Sequence, residues 1–240
     1  GYYTNQFSGE EFNAEICLFK NELNDRFSGI KEKNARTIGI DFPILLSKGK
    51  NRPVLIICAM DPLRDDSDDV SKINEISFWV PFSIINSMES KQNKPTDRSN
   101  LSFFHTILET HDVYVTDIFK VFYREGQKIS NTQKEFKQLS VHKDILEREI
   151  KIVNPQAILT LGNEARDAIC QIMDLKPPAW SDEIHNTTSK ENFNIIMVPH
   201  ISGSARGTKS PILNNERYKA IEGTDNLKYA RIILSALEAK

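Results

Sequence analysis

Cysteine is scarce in this chain. Cys17, Cys58 and Cys170 are odd in number and far apart, and no C-x-x-C pair exists. That pattern excludes a disulfide framework and offers no zinc ligand set. An excess of one charge is lacking too: 31 basic residues stand against 33 acidic ones, for a net charge of −2. A uniformly basic coat for nucleic acid is therefore excluded, while a local basic groove is not. No signal peptide is expected, and the sequence shows no apolar run long enough to span a bilayer, no internal repeat and no low-complexity segment. The expectation is a soluble, cytoplasmic, reducing-compartment protein with no cofactor, no metal and no membrane partner. Its 240 residues, 39% of them hydrophobic, suffice for one domain with a real core. We read residues 1–240 as that single domain, residues 1–50 as a helical extension packed on its sheet, and the protein as a monomer.

The rest is organised around Pro53-Val-Leu-Ile-Ile-Cys-Ala-Met-Asp-Pro-Leu-Arg64. Its apolar, β-branched run predicts a strand buried on both faces. Pro62 cannot donate to a ladder, so the strand stops there and Asp61 falls just beyond its carboxyl end. Three more apolar runs end the same way. Val113-Tyr-Val-Thr116 runs into Asp117, Ala157-Ile-Leu-Thr-Leu161 into Gly162-Asn163, and Asn194-Ile-Ile-Met-Val198 into Pro199-His200.

Helices are predicted over residues 8–27, with Phe12, Ile16, Phe19 and Leu23 on one face, and over residues 76–88. Three more fall at 139–153 (Leu139, Leu146, Ile150, Val153), 163–173 and 225–237 (Leu227, Ala230, Leu234, Leu237). Gln92 to Asn100 reads as a polar loop around Pro95. Arg64-Asp-Asp-Ser-Asp-Asp69 reads as a solvated acidic loop, because no glycine stands where a calcium loop needs its sharp turn. Strands alternating with helices imply an α/β fold: a three-layer α/β/α sandwich around a central four-stranded parallel sheet.

If the four strands are parallel, Asp61, Asp117, Asn163 and His200 line one rim, where open α/β sheets bind ligands. Taken singly, each is an ordinary polar turn residue. Together, two carboxylates and a histidine at one cleft suit acid–base or electrostatic chemistry.

These segments, in this order, resemble the uracil-DNA glycosylase superfamily over roughly residues 53–240. Ala59-Met-Asp-Pro62 is similar to the family's water-positioning loop. Val115-Thr-Asp-Ile-Phe-Lys120 is similar to its base-reading segment, Leu161-Gly-Asn-Glu-Ala165 to its helix-opening segment, and Pro199-His-Ile-Ser-Gly-Ser-Ala-Arg206 to its closing motif. The resemblance implies a uracil-DNA glycosylase-like fold and hydrolysis of the N-glycosidic bond of a base flipped out of DNA. Asp61 would orient water or balance the positive sugar, and His200 would stabilise the departing base. Asp117, Asn163 and Phe78 would meet the base, although Phe78 reads first as a core residue of its helix. Lys120, Ser202, Gly203, Ser204 and Arg206 would meet DNA phosphates.

Asp117 stands where the family carries an asparagine. An amide donates and accepts, whereas an ionised carboxylate only accepts. Asp117 therefore suits a base edge rich in donors, or must be protonated in a dry pocket. Two further readings stay open on the same fold. One is a hydrolase or binding protein for a small nucleoside or nucleotide, and the other is a non-catalytic module for nucleic acid or protein.

Overall fold

In this computed structural model the described residues are 35–49, 51–60, 77–79, 81–84, 95–125, 128–129, 140–189, 193–201, 205–223 and 225–238. The expected helix at 8–27, the acidic run 64–69, Asp61 and Ser202, Gly203 and Ser204 lie outside them.

The strands are β1 (Ala35–Asp41), β2 (Ile44–Leu46), β3 (Val54–Ala59), β4 (Ser77–Trp79), β5 (Asp112–Asp117), β6 (Val121–Glu125), β7 (Lys128–Ile129), β8 (Ala157–Leu161), β9 (His185–Thr188) and β10 (Asn194–Val198). The helices are α1 (Pro95–Ile107), α2 (Ser140–Val153), α3 (Asn163–Ile172), α4 (Arg206–Asn214) and α5 (Asp225–Glu238).

The main sheet has six strands in the order β2-β5-β3-β8-β10-β9. Its four central strands are the expected ones, and their three pairings are parallel. The edges β2 and β9 run antiparallel and were not foreseen. The His-Asn-Thr-Thr of β9 has no apolar alternation to betray it, and β2 is three residues long. A second sheet has the order β4-β1-β6-β7.

Both faces of the main sheet are covered, as its unbroken apolar strands require. Leu55, Ile57, Val113, Val115, Leu159 and Ile196 face a cluster containing Phe103, Phe104 and Ile107 of α1 and Tyr229, Ile233 and Leu237 of α5. Ile56, Cys58, Ile158 and Ile195 face Leu146 and Ile150 of α2 and Ala165 and Ile169 of α3. Adjacent residues Ile56 and Ile57 are both fully buried, in opposite layers. Each such side chain contributes roughly 1.5–3 kcal/mol by leaving water.

Several local expectations are corrected. Residues 77–79 form a strand and 81–83 a 3₁₀ turn, where a helix was predicted. Phe78 pairs with Ile40 across parallel strands, so β1 overrides the helical spacing of that stretch. Of the loop expected at 92–100, residues 95–100 are instead the start of α1. Pro95 is suited to a first helical turn, where its missing N–H costs nothing. The buried stripe of α5 runs through Asn226, Tyr229, Ala230, Ile233 and Leu237, rotated from the one expected.

Candidate active site

The parallel register brings the carboxyl ends of β5, β3, β8 and β10 to one rim. Ala59 lies opposite Asp117, and Leu161 opposite Val198. Bonds past the strand ends extend the alignment. The Ile118 and Phe119 amides donate to the Ala59 and Met60 carbonyls at 2.9 and 3.0 Å, and the Gly162 amide donates to Val198 at 2.9 Å. Asp61 is the next residue in the chain after Met60. Two strand spacings separate the ends of β3 and β10, about 10 Å. The opposite end of the sheet is structural: buried Asp112 opens β5 and accepts from the Arg52 Nε at 2.9 Å.

Pro199-His200-Ile201 is fastened from beneath. The Tyr229 hydroxyl donates to the Pro199 carbonyl at 3.1 Å. The Lys209 ammonium donates to the Ile201 carbonyl at 3.3 Å and to Asn226 Oδ1 at 2.7 Å. Burial pushes the Tyr229 phenol well above its ordinary value, so it remains a donor. Above, the His200 imidazole stacks on Phe82, with centroids 5.6 Å apart and planes 18° apart. Phe82 packs edge-on against Phe104 at 5.3 Å. It adopts φ 58°, ψ 12°, a left-handed conformation costly for a bulky side chain.

The surroundings of His200 favour its neutral form. Burial lowers its pKa most, the Lys209 charge lowers it further, and Glu164 opposes them. A neutral imidazole donates one hydrogen bond without carrying charge into the pocket.

The β5 end is built differently. Asp117 is only 2% exposed. Lys120 is equally buried and donates to Thr116 Oγ1, to the Asp117 carbonyl and to Glu149, the last at 2.9 Å. This corrects the phosphate-binding expectation for Lys120, because an ammonium enclosed by Glu149 and the backbone braces the rim from below. Cys58, one strand over, is fully buried, and burial raises its thiol so that it stays protonated.

Gly162 takes φ 95°, and a Cβ there would come within 3.5 Å of the His200 Cβ. Asn163 opens α3 at the rim, but its Oδ1 accepts from the Trp180 indole at 2.7 Å. Trp180 in turn lies under the Arg166 guanidinium at 4.6 Å. Arg206 is the first residue of α4.

Sequence reasoning named the strand ends and did not name the residues that support them: Phe82, Glu149, Lys209, Asn226 and Tyr229. A usable signal existed for one of them. Asn226 sits on the stripe of Tyr229, Ile233 and Leu237 at helical spacing, and a polar residue on a buried stripe implies a partner.

The fold and rim define an α/β/α protein whose polar residues gather at the carboxyl edge of a parallel sheet. Residues 53–222 match the family model described as the Uracil DNA glycosylase superfamily, and the chain belongs to that superfamily. At family level its function is DNA glycosylase-like. A search of the curated proteins finds no match.

Proposed function

We propose that the protein hydrolyses the N-glycosidic bond of a base flipped out of DNA into the rim pocket. The observation that carries the reading is the shared rim: the chain emerges toward Asp61 from one strand end and toward His200 from another, about 10 Å away. One nucleotide can bridge that span. Asp61 orients the attacking water and balances the cationic sugar. His200, neutral and held by Phe82 and the fixed carbonyls of Pro199 and Ile201, donates to the departing base as negative charge builds on it. Asp117 reads the base and favours an edge rich in donors. Phe78 and Asn163 complete the base pocket, while Ser202, Gly203, Ser204 and Arg206 hold phosphates.

A second reading, hydrolysis or binding of a free nucleoside or nucleotide, draws support from the near-neutral net charge and the acidic run 65–69. One experiment separates the two. Single- and double-stranded oligonucleotides carrying uracil, hypoxanthine, xanthine or mismatched bases are incubated with protein, and abasic sites are revealed by alkaline cleavage. Cleavage at one base, reduced about 10²-fold or more by Asp61→Asn, is the expected result. Silence across the panel, with turnover of a free nucleoside, would establish the second reading.

A further inference from the structure

The connection from α3 to β9 carries an indole to the rim. Residues 173–184 form no helix or strand, yet three successive residues near their centre are tied down. Arg166 Nη1 donates to the Pro178 carbonyl at 2.9 Å, His185 Nε2 donates to the Ala179 carbonyl at 2.7 Å, and the Trp180 indole donates to Asn163 Oδ1 at 2.7 Å. Pro177 and Pro178 fix φ on the approach, which removes much of the remaining freedom. Asn163 opens α3 at the end of β8, and β8 lies between β3 and β10, the strands that lead to Asp61 and His200. Its chain neighbour Gly162 lies against His200. The fold thus spends three anchors, from α3 and β9, on holding one aromatic ring beside the proposed pocket.

The ring is only partly buried, packed against the cluster that contains Ala165 and Ile169. The Arg166 guanidinium lies 4.6 Å from its centroid. The Arg166 side chain is 14% exposed, and its Nε donates to Asp167 at 2.8 Å. That cation is therefore held inside the protein and backs the ring; it is not set out as a phosphate clamp. A leucine would cap the same cluster, but without the bond to Asn163 and without the stacked guanidinium. What this assembly presents beside the rim is a fixed π surface, and the partner a π surface fits is a flat base. We propose that Trp180 is a stacking shelf for a DNA base neighbouring the nucleotide in the rim pocket, an inference that rests on the reading of DNA as the substrate. When one nucleotide leaves the stack its neighbours lose a stacking partner, and an aromatic ring at the pocket's edge replaces it. Every base has a π face, so the shelf favours a strand over a free nucleoside whichever base the pocket reads.

The chain holds two tryptophans, so Trp79→Phe leaves Trp180 as the sole indole reporter. That variant is titrated with single- and double-stranded oligonucleotides carrying the bases named above, and with the matching free nucleosides, while its fluorescence is followed. In parallel, wild type, Trp180→Leu and Trp180→Phe are compared for affinity by anisotropy of labelled oligonucleotides, with and without abasic sites flanking the target base. The expected result is quenching of Trp180 by oligonucleotides, and about 10-fold weaker binding in Trp180→Leu that Trp180→Phe largely restores. The salt dependence stays unchanged, because no phosphate contact is lost. Removing the flanking bases weakens wild-type binding by a similar factor and makes it indifferent to Trp180→Leu. If Trp79→Phe does not fold, the difference in emission between wild type and Trp180→Phe supplies the same signal. Absence of quenching, quenching by free nucleosides alone, or a Trp180→Leu loss that is equal with and without the flanking bases overturns the shelf, even if the protein excises a base. Quenching with a flank-dependent loss, but no excision of any base, upholds the shelf and sinks the glycosylase reading instead.

Discussion

The two ends of the rim each bury a lysine, and they use it differently. At β5, Lys120 is matched by Glu149 at 2.9 Å, with Thr116 and the Asp117 carbonyl completing its shell. At β10, Lys209 donates to the neutral oxygens of Ile201 and Asn226, and its charge is felt by His200. The first arrangement cancels charge and makes a stiff floor under Asp117. The second ties the chain after His200 to α5 through Asn226. A buried cation thus braces different structure according to the groups it donates to.

The largest expected effect breaks the β5 end. Glu149→Ala leaves the Lys120 ammonium buried without its counter-charge and should cost about 3–5 kcal/mol in urea unfolding. The double variant Lys120→Met with Glu149→Leu should recover most of that loss. A cost under about 1 kcal/mol for Glu149→Ala would show that water reaches the pair.

A second prediction uses pH at the same end. His142 is buried against Phe119 at 4.9 Å, and burial, with the Lys120 charge second, pushes its pKa down to about 3 from an ordinary 6.5. The folded state therefore binds fewer protons than the unfolded one. This contribution is fully present above pH 6.5 and is lost progressively as the pH falls toward 3. His142→Leu should flatten the stability curve below pH 6.5, as measured by denaturant midpoints at pH 7, 6, 5 and 4. An unchanged slope would remove His142 from the account of acid sensitivity.

The smallest effect lies at the β10 end. Tyr229→Phe removes one hydroxyl from the Pro199 carbonyl and should cost about 1 kcal/mol. Its kinetic consequence should exceed that figure, because the carbonyl it releases neighbours His200. Equal losses in stability and in excision rate would make the hydroxyl a mere packing element.

Much of this architecture was legible in the sequence, and the reasons are physical. Runs such as Val54 to Ile57 and Ile195 to Val198 are apolar on both alternations, so they specify a parallel sheet covered on two sides. The polar residues that end those runs specify the rim. Edge strands were not legible, because β9 carries no apolar pattern and gains its place by pairing with β10. Residues 76–88 misled, because aromatic spacing suited a helix while pairing with β1 drew 77–79 into a strand. Lys120 misled most, and Lys209 went unnoticed. A lysine in sequence reads as solvated surface, and only the fold shows that one lies against Glu149 and the other donates to the Ile201 carbonyl.

The most direct test of the central claim is single-turnover excision on whichever base the panel identifies, comparing wild type, Asp61→Asn, His200→Gln and the double variant. One shared site predicts losses of about 10²–10³-fold for each single change, and a double variant well short of their product. Full activity in either single variant would contradict it, because the two strand ends would then not serve one substrate.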